Sequence, residues 1–274
     1  MKLPIILCEI ALPLLYFATI WVYARAFFSN IRPAERLSTP LLFATLLTHG
    51  FYIAMRTAEL RHPPITSVFE IFSLMAFTVA LVYAYIEWRL KIKSTGYFIL
   101  ILPFFFQLVS SIFIREVSEV PPILQSNLLG FHVLSALLGY AAITISAVYG
   151  FLYLMLYHEI KFSGFGVVYK RLPNLETLER MSFTATLFGF VFLTIAIIAG
   201  IAWLPRITQE VSYTDPKLFG TFAIWLIYAA GLAAKRLKHW QGRRMMILSV
   251  FGFATAMFSM TVINIFLSSF HKFY

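Results

Sequence analysis

Six histidines have the widest chemical range in this sequence: His49, His62, His132, His158, His239 and His271. Each can ligate a transition metal through a neutral ring nitrogen, carry a proton, or only donate and accept hydrogen bonds. Position decides among these. His158 and His239 stand among lysines and arginines, the setting of a solvated loop. His49 and Glu70 lie inside apolar runs, where an ionisable group must find a partner or a function. The single cysteine, Cys8, excludes an internal disulfide framework and a thiolate metal cluster. His158-Glu159 lacks the second histidine at position 162 that a zinc protease helix needs. Gly164-Phe165-Gly166 has no phosphate-loop lysine pattern, and no Ser-His-Asp set can be read from the chain. Catalysis by this chain on its own is not expected.

The elements that must position these residues are hydrophobic helices. Of 274 residues, 60% are hydrophobic and 12% charged, with a mean hydropathy of +0.82. A water-soluble domain of that length cannot hide so much apolar surface, so lipid must cover part of it. A membrane crossing needs about 20 apolar residues. Eight are predicted, near residues 5–23, 40–55, 66–88, 97–114, 128–157, 182–204, 218–234 and 246–266. The second and seventh are the shortest. The fifth exceeds one bilayer and must tilt or project. Leu175, Leu178 and Ser182 recur at helical spacing, so a short amphipathic helix is expected to lead into the sixth.

The net charge of +10 does not indicate nucleic-acid binding, because the basic residues sit in short clusters between apolar runs. Arg25, Arg32 and Arg36 follow the first span, and Arg89, Lys91 and Lys93 the third. Lys161, Lys170, Arg171 and Arg180 follow the fifth, and Lys235, Arg236, Lys238, Arg243 and Arg244 the seventh. Cytoplasmic loops carry such an excess. Both termini then lie on the non-cytoplasmic side. The first apolar run has its basic residues after it and no small-residue cleavage site, so it reads as a retained helix. The predicted fold class is all-α: a polytopic membrane helix bundle of about eight spans, one transmembrane domain over 1–274. A bacterial inner membrane or its organellar equivalent is the expected location.

On this topology His62, His132 and His271 fall at the outer face. His62 follows the second span, His132 is about one turn into the fifth, and His271 follows the eighth. Two imidazoles converging from different helices can occupy both axial positions of a haem iron. The same placement also suits histidines that only bond water at the interface. Trp203, Tyr213 and Phe270 offer flat apolar faces, and Arg56, Arg61, Arg206 and Lys217 could pair with propionates. Glu70, one turn below the outer surface, is either paired with Arg56 or Arg61 or part of the site.

Several segments resemble one family. The end of the chain, Trp240-Gln-Gly-Arg-Arg, then Phe251-Gly-Phe, Asn264 and Ser269-Phe-His271-Lys-Phe-Tyr274, resembles the closing helix of cytochrome c assembly membrane proteins of the CcsA and HemX type. His62-Pro-Pro-Ile-Thr-Ser-Val-Phe-Glu70 is similar to the family's His-x-Pro-x-Ser-Asn-x-Tyr-Glu segment. His132-Val-Leu-Ser-Ala-Leu-Leu-Gly-Tyr140 resembles its His-Val helix. Leu193-Thr-Ile-Ala-Ile-Ile-Ala-Gly200-Ile-Ala-Trp203 resembles its Leu-Thr-x-Gly-x-x-x-Gly-x-x-Trp run. Asp215-Pro-Lys, followed by Ile224-Trp-Leu-Ile-Tyr-Ala229, resembles its Asp-Pro-Lys and Trp-Leu-Ile-Tyr-Ala. The resemblance covers about residues 45–274. It implies a helical bundle that handles haem at its outer face, with His132 and His271 as iron ligands and with His62, Glu70, Trp203 and Asp215 around the cofactor.

One departure stands out. Haem-attachment members carry a Trp-Gly-x-x-Trp-x-Trp-Asp stretch before the seventh span. Here residues 205–215 contain no tryptophan, and Ala233 stands near the place of the histidine expected late in the seventh span. The resemblance therefore shifts toward the HemX-like branch, associated with haem supply and with the amount of glutamyl-tRNA reductase. Three readings stay open: a haem-handling protein working with cytochrome c assembly partners, a membrane regulator acting on a haem-biosynthetic enzyme through loops 158–181 and 235–245, and a small-molecule transporter using His49 and Glu70.

Overall fold

The computed structural model describes residues 2–29, 31–60, 63–114, 127–203 and 216–259. Among them are the helices α1 (Lys2–Ser29), α2 (Arg32–Leu60), α3 (Val68–Leu90), α4 (Gly96–Phe113), α5 (Asn127–Lys161), α6 (Val167–Arg171), α7 (Leu175–Trp203), α8 (Pro216–Lys238) and α9 (Arg243–Phe258). Seven of these are long and apolar enough to cross a membrane. The eighth expected span begins in α9, and its remainder lies outside the described residues. The polytopic helical bundle is therefore as predicted. The second span is longer than expected, because α2 keeps its helical course through the charged residues that flank its apolar run. The amphipathic turn at Leu175 is not a separate helix. It is the first part of α7, where the Thr177 N–H donates to Asn174 Oδ1 and Leu178 and Ser182 are fully buried.

The helices form two compact units, one holding α1–α4 and the other α5–α9. In the first unit α1 packs on α2 and α4, and α3 packs on α4 and α2. Its side chains are distributed opposite to those of a soluble bundle. Thr19, Thr45, His49 and Gln107 have no exposed surface, while Leu14 and Leu47 are 64% and 74% exposed. That pattern suits a lipid surround, because apolar residues cost nothing against hydrocarbon and polar ones must be satisfied internally.

The buried polar groups of this unit pair with one another at several levels. At one end Arg56 of α2 bridges Glu9 of α1 (3.0 Å) and Glu70 of α3 (2.6 Å). Tyr52 also donates to Glu9, and the other Glu70 oxygen accepts from the Thr66 N–H and hydroxyl. Ser67 caps α3 by accepting the Glu70 N–H, so this is a capping box whose carboxylate reaches one residue further back than usual. The middle of the bundle holds the Thr19–Thr45 pair and the contacts of His49. The other end holds Glu87 of α3, which accepts hydroxyls from Tyr23, Thr39 and Tyr83.

In the second unit α5 packs against α7 and α9, α8 packs against α9 and α7, and α6 rests on α5. Two glycines set the closest approach of α5 to α7. A Cβ on Gly139 would lie 3.1 Å from the Leu193 backbone nitrogen, and one on Gly189 would lie 2.9 Å from Ile143 Cγ1 and 3.3 Å from the Gly139 carbonyl. Backbone atoms cannot rotate away, so small residues are required here. Lower on the same interface Ser146 of α5 meets Ser182 and Thr186 of α7 and Ser249 of α9 through side-chain oxygens 2.7–3.1 Å apart. A hydroxyl cluster of this kind ties three helices without burying a charge.

Two outcomes are expected from this packing. Gly189→Val forces α5 and α7 apart and costs about 1–3 kcal/mol, seen as a lower midpoint for unfolding in detergent micelles. Arg56→Leu strands two carboxylates, one of them fully buried, and costs about 3–5 kcal/mol by the same measurement.

Candidate functional site

His132 enters from the second turn of α5 and meets α7 at two small residues. Its Nδ1 lies 2.7 Å from the carbonyl oxygen of Ala196. A carbonyl can only accept, so Nδ1 carries the proton and donates. In the neutral ring the lone pair is then on Nε2. Gly200, one turn along α7, makes room for the ring: a Cβ there would sit 3.0 Å from both Cε1 and Nδ1 of the imidazole. Ala196 and Gly200 are thus the donor's partner and the floor of one seat. An imidazole whose Nδ1–H is held by a backbone carbonyl is the usual arrangement of a metal-binding histidine, since it sets both tautomer and ring direction.

His49 has the opposite tautomer and a different fate. It is fully buried, with Nδ1 3.0 Å from the Tyr16 hydroxyl and Nε2 3.0 Å from Ser73 Oγ. Ser73 donates its own proton to Gln107 Oε1 and must accept from the ring, so Nε2 carries the proton. Tyr16 then donates to Nδ1. Gln107 continues the series by donating to Ser111. Both ring nitrogens of His49 are committed to neighbouring helices, which leaves no lone pair for a metal.

Of the other residues singled out by sequence, Trp203 ends the described part of α7, three positions past Gly200. It is buried at 5% exposure and so packs within its unit. Glu70 takes the paired alternative, with Arg56 as the partner. That leaves Arg56 engaged with two carboxylates instead of facing an external anion. His62, Asp215 and His271 lie outside the described residues, as do Arg61 and Arg206. His239 lies exposed in the turn between α8 and α9, as expected, whereas His158 is not in a loop: α5 continues through it, and there it is exposed and rests against Phe162.

Three features escaped the sequence reading. The first is the seat made by Ala196 and Gly200; its signal was present as two small residues four apart in the Leu193–Trp203 run. The second is Glu9 as a second partner of Arg56, for which a carboxylate inside the first apolar run was the available cue. The third is Trp225 of α8, whose Nε1–H donates to Thr194 Oγ1 on α7 while its ring stacks between Phe190 and Phe222 at 5.3 and 5.7 Å. This partly buried ring packs against the core that includes Ile143, Leu193, Ile224 and Tyr228.

Comparison with known proteins bears on the same segments. The family described as Cytochrome C assembly protein matches residues 7–271. Among curated proteins the chain is 28% identical over 228 residues to the cytochrome c biogenesis protein CcsA of Guillardia theta, covering 76% of this chain and 75% of that protein. It is 26% identical over 274 residues to the protein of the same name from Trieres chinensis, covering 88% and 87%. It is also 30% identical over 154 residues to Protein HemX of Bacillus subtilis (strain 168), covering 55% and 54%. A multi-pass bundle whose polar groups are turned inward, matched by that family over nearly its whole length, is a membrane protein belonging to the cytochrome c assembly family.

Proposed function

We propose that this chain handles haem in support of c-type cytochrome biogenesis, binding or passing it at the non-cytoplasmic side with His132 and His271 as axial ligands. The observation that carries this reading is the tautomer of His132. With Nδ1–H given to Ala196, the lone pair that an iron would need is on Nε2. Gly200 fixes the height of the ring on α7. The donor chemistry therefore fits haem iron at this residue, whereas His49 does not fit it. Haem would supply a ferric or ferrous centre for delivery to a partner. The protein's own part is to present a neutral imidazole of fixed direction and to shield the site with α7. Trp203 and Asp215 would border the cofactor. Assembly partner proteins would complete the task.

The tryptophan-free loop 205–215 favours passage of haem over its covalent attachment. The same feature supports a second reading, a HemX-type regulator of haem biosynthesis that acts through the basic loops at 158–181 and 235–245. The basic clusters of those loops support a cytoplasmic-side orientation for them, in a bacterial inner membrane or its organellar equivalent.

Purified protein mixed with haem and then freed of the unbound cofactor should retain a Soret band, lost in His132→Ala/His271→Ala. Protein left colourless by that procedure overturns the reading. The regulator reading instead expects loop substitutions to change the amount of the biosynthetic enzyme while His132→Ala has no effect on it. A finer test is Gly200→Val, which displaces the imidazole and should weaken haem binding about tenfold or more. Gly130→Ala, whose new methyl would meet nothing within 4 Å, should leave it unchanged.

A further inference from the structure

The turn between α8 and α9 holds a surface cavity of about 540 Å³. Its lining includes Lys238, Arg243 and Arg244, together with His239, Trp240 and Ile247. The turn is built on two residues with positive φ, His239 at 51° and Gly242 at 60°, which fold the chain back so that both helix ends reach the same space. Gly242 starts α9 without a side-chain cap, so no carboxylate competes for the cations at that helix end.

The nearby basic residue Lys235 is already occupied. It faces Glu179 at 3.8 Å and lies 3.6 Å over the Phe183 ring, holding α8 to α7. Lys238, Arg243 and Arg244 differ: among the described residues none of them is ion-paired, and all three are exposed. Arg244 lies over the Trp240 ring at 5.9 Å, which presets its guanidinium. Three unneutralised cations around one concavity call for an anion.

Depth identifies which anion. Lys238 is the last residue of a helix long and apolar enough to cross a membrane, and a cavity at the end of such a helix is expected at the level of lipid headgroups. Its lining changes character on going down α9. Ile247 is 47% exposed, and Phe251, one turn further on the same face, is 59% exposed. A soluble phosphate would use the cations and gain nothing from those apolar side chains. A phospholipid would use both, its phosphate on the arginines and lysine and its acyl chain along Ile247 and Phe251. We infer that the α8–α9 turn is a binding site for the headgroup phosphate of an anionic phospholipid, independent of any haem site.

The test uses the full chain, delipidated in neutral detergent and titrated with phosphatidylglycerol, with retained lipid read by native mass spectrometry. Retention is expected with phosphatidylglycerol, and Arg243→Gln/Arg244→Gln should weaken it about tenfold or more. Lys170→Gln/Arg171→Gln, which removes the same charge from α6, should leave it unchanged. An equal loss in that control would reduce the effect to diffuse attraction and overturn the site. Inorganic phosphate that displaces the lipid at equal concentration would make the ligand a free anion and overturn the lipid assignment. Displacement by a polyglutamate peptide would do the same in favour of a protein partner. A thermal unfolding midpoint equal to that of the parent chain certifies that the Arg243/Arg244 variant is folded. If that midpoint falls, Ile247→Asn takes its place and must weaken retention, since it removes the acyl contact while keeping the local charge unchanged.

Discussion

A polar atom in hydrocarbon has no water to turn to, and that constraint organises the first helical unit. Arg56 is the clearest case. Its guanidinium is nearly buried, and it is held by Glu9 from one side and Glu70 from the other, with Tyr52 and Thr66 completing the shells of the two carboxylates. Three helices are thereby fixed in register at one end. The Glu87 cluster does the same at the other end through three hydroxyls, and His49 links three helices between them. Nonspecific apolar attraction cannot set that register, because lipid is as good a partner for leucine as another helix is. The specific polar pairs can.

The second unit meets the same constraint by a different route. Its central contact, between α5 and α7, depends on glycines that let two backbones approach, and its buried polar groups are chiefly hydroxyls. Close backbone approach has a chemical consequence. It exposes the Ala196 carbonyl to a side chain from the facing helix, and His132 takes it. The feature that packs the helices is also the one that selects the histidine tautomer.

The two intramembrane histidines show how context separates a structural residue from a candidate ligand. His49 and His132 belong to the same residue type and both lie in apolar helices. One gives both nitrogens to hydroxyls and an amide chain, and the other gives Nδ1 to a backbone carbonyl. The two neutral rings therefore carry their protons on opposite nitrogens, Nε2 in His49 and Nδ1 in His132. This also weakens the transporter reading that joined His49 to Glu70, since both are engaged in pairs that hold the bundle together.

The all-helical polytopic class, the membrane environment, the basic loops and the family could all be read from the sequence, because hydropathy and charge add up along the chain and motifs are local. His132 was singled out in the same way, through the segment it begins. What the sequence left open were choices between partners far apart in the chain: Arg56 or Arg61 for Glu70, a ligand or a link for His49, and the use of the small residues at 196 and 200. Those depend on which faces of which helices meet, and an apolar run does not encode its own rotation about the helix axis. Close packing set that rotation, and with it decided that His49 links helices through both ring nitrogens while His132 gives its Nδ1–H to the Ala196 carbonyl.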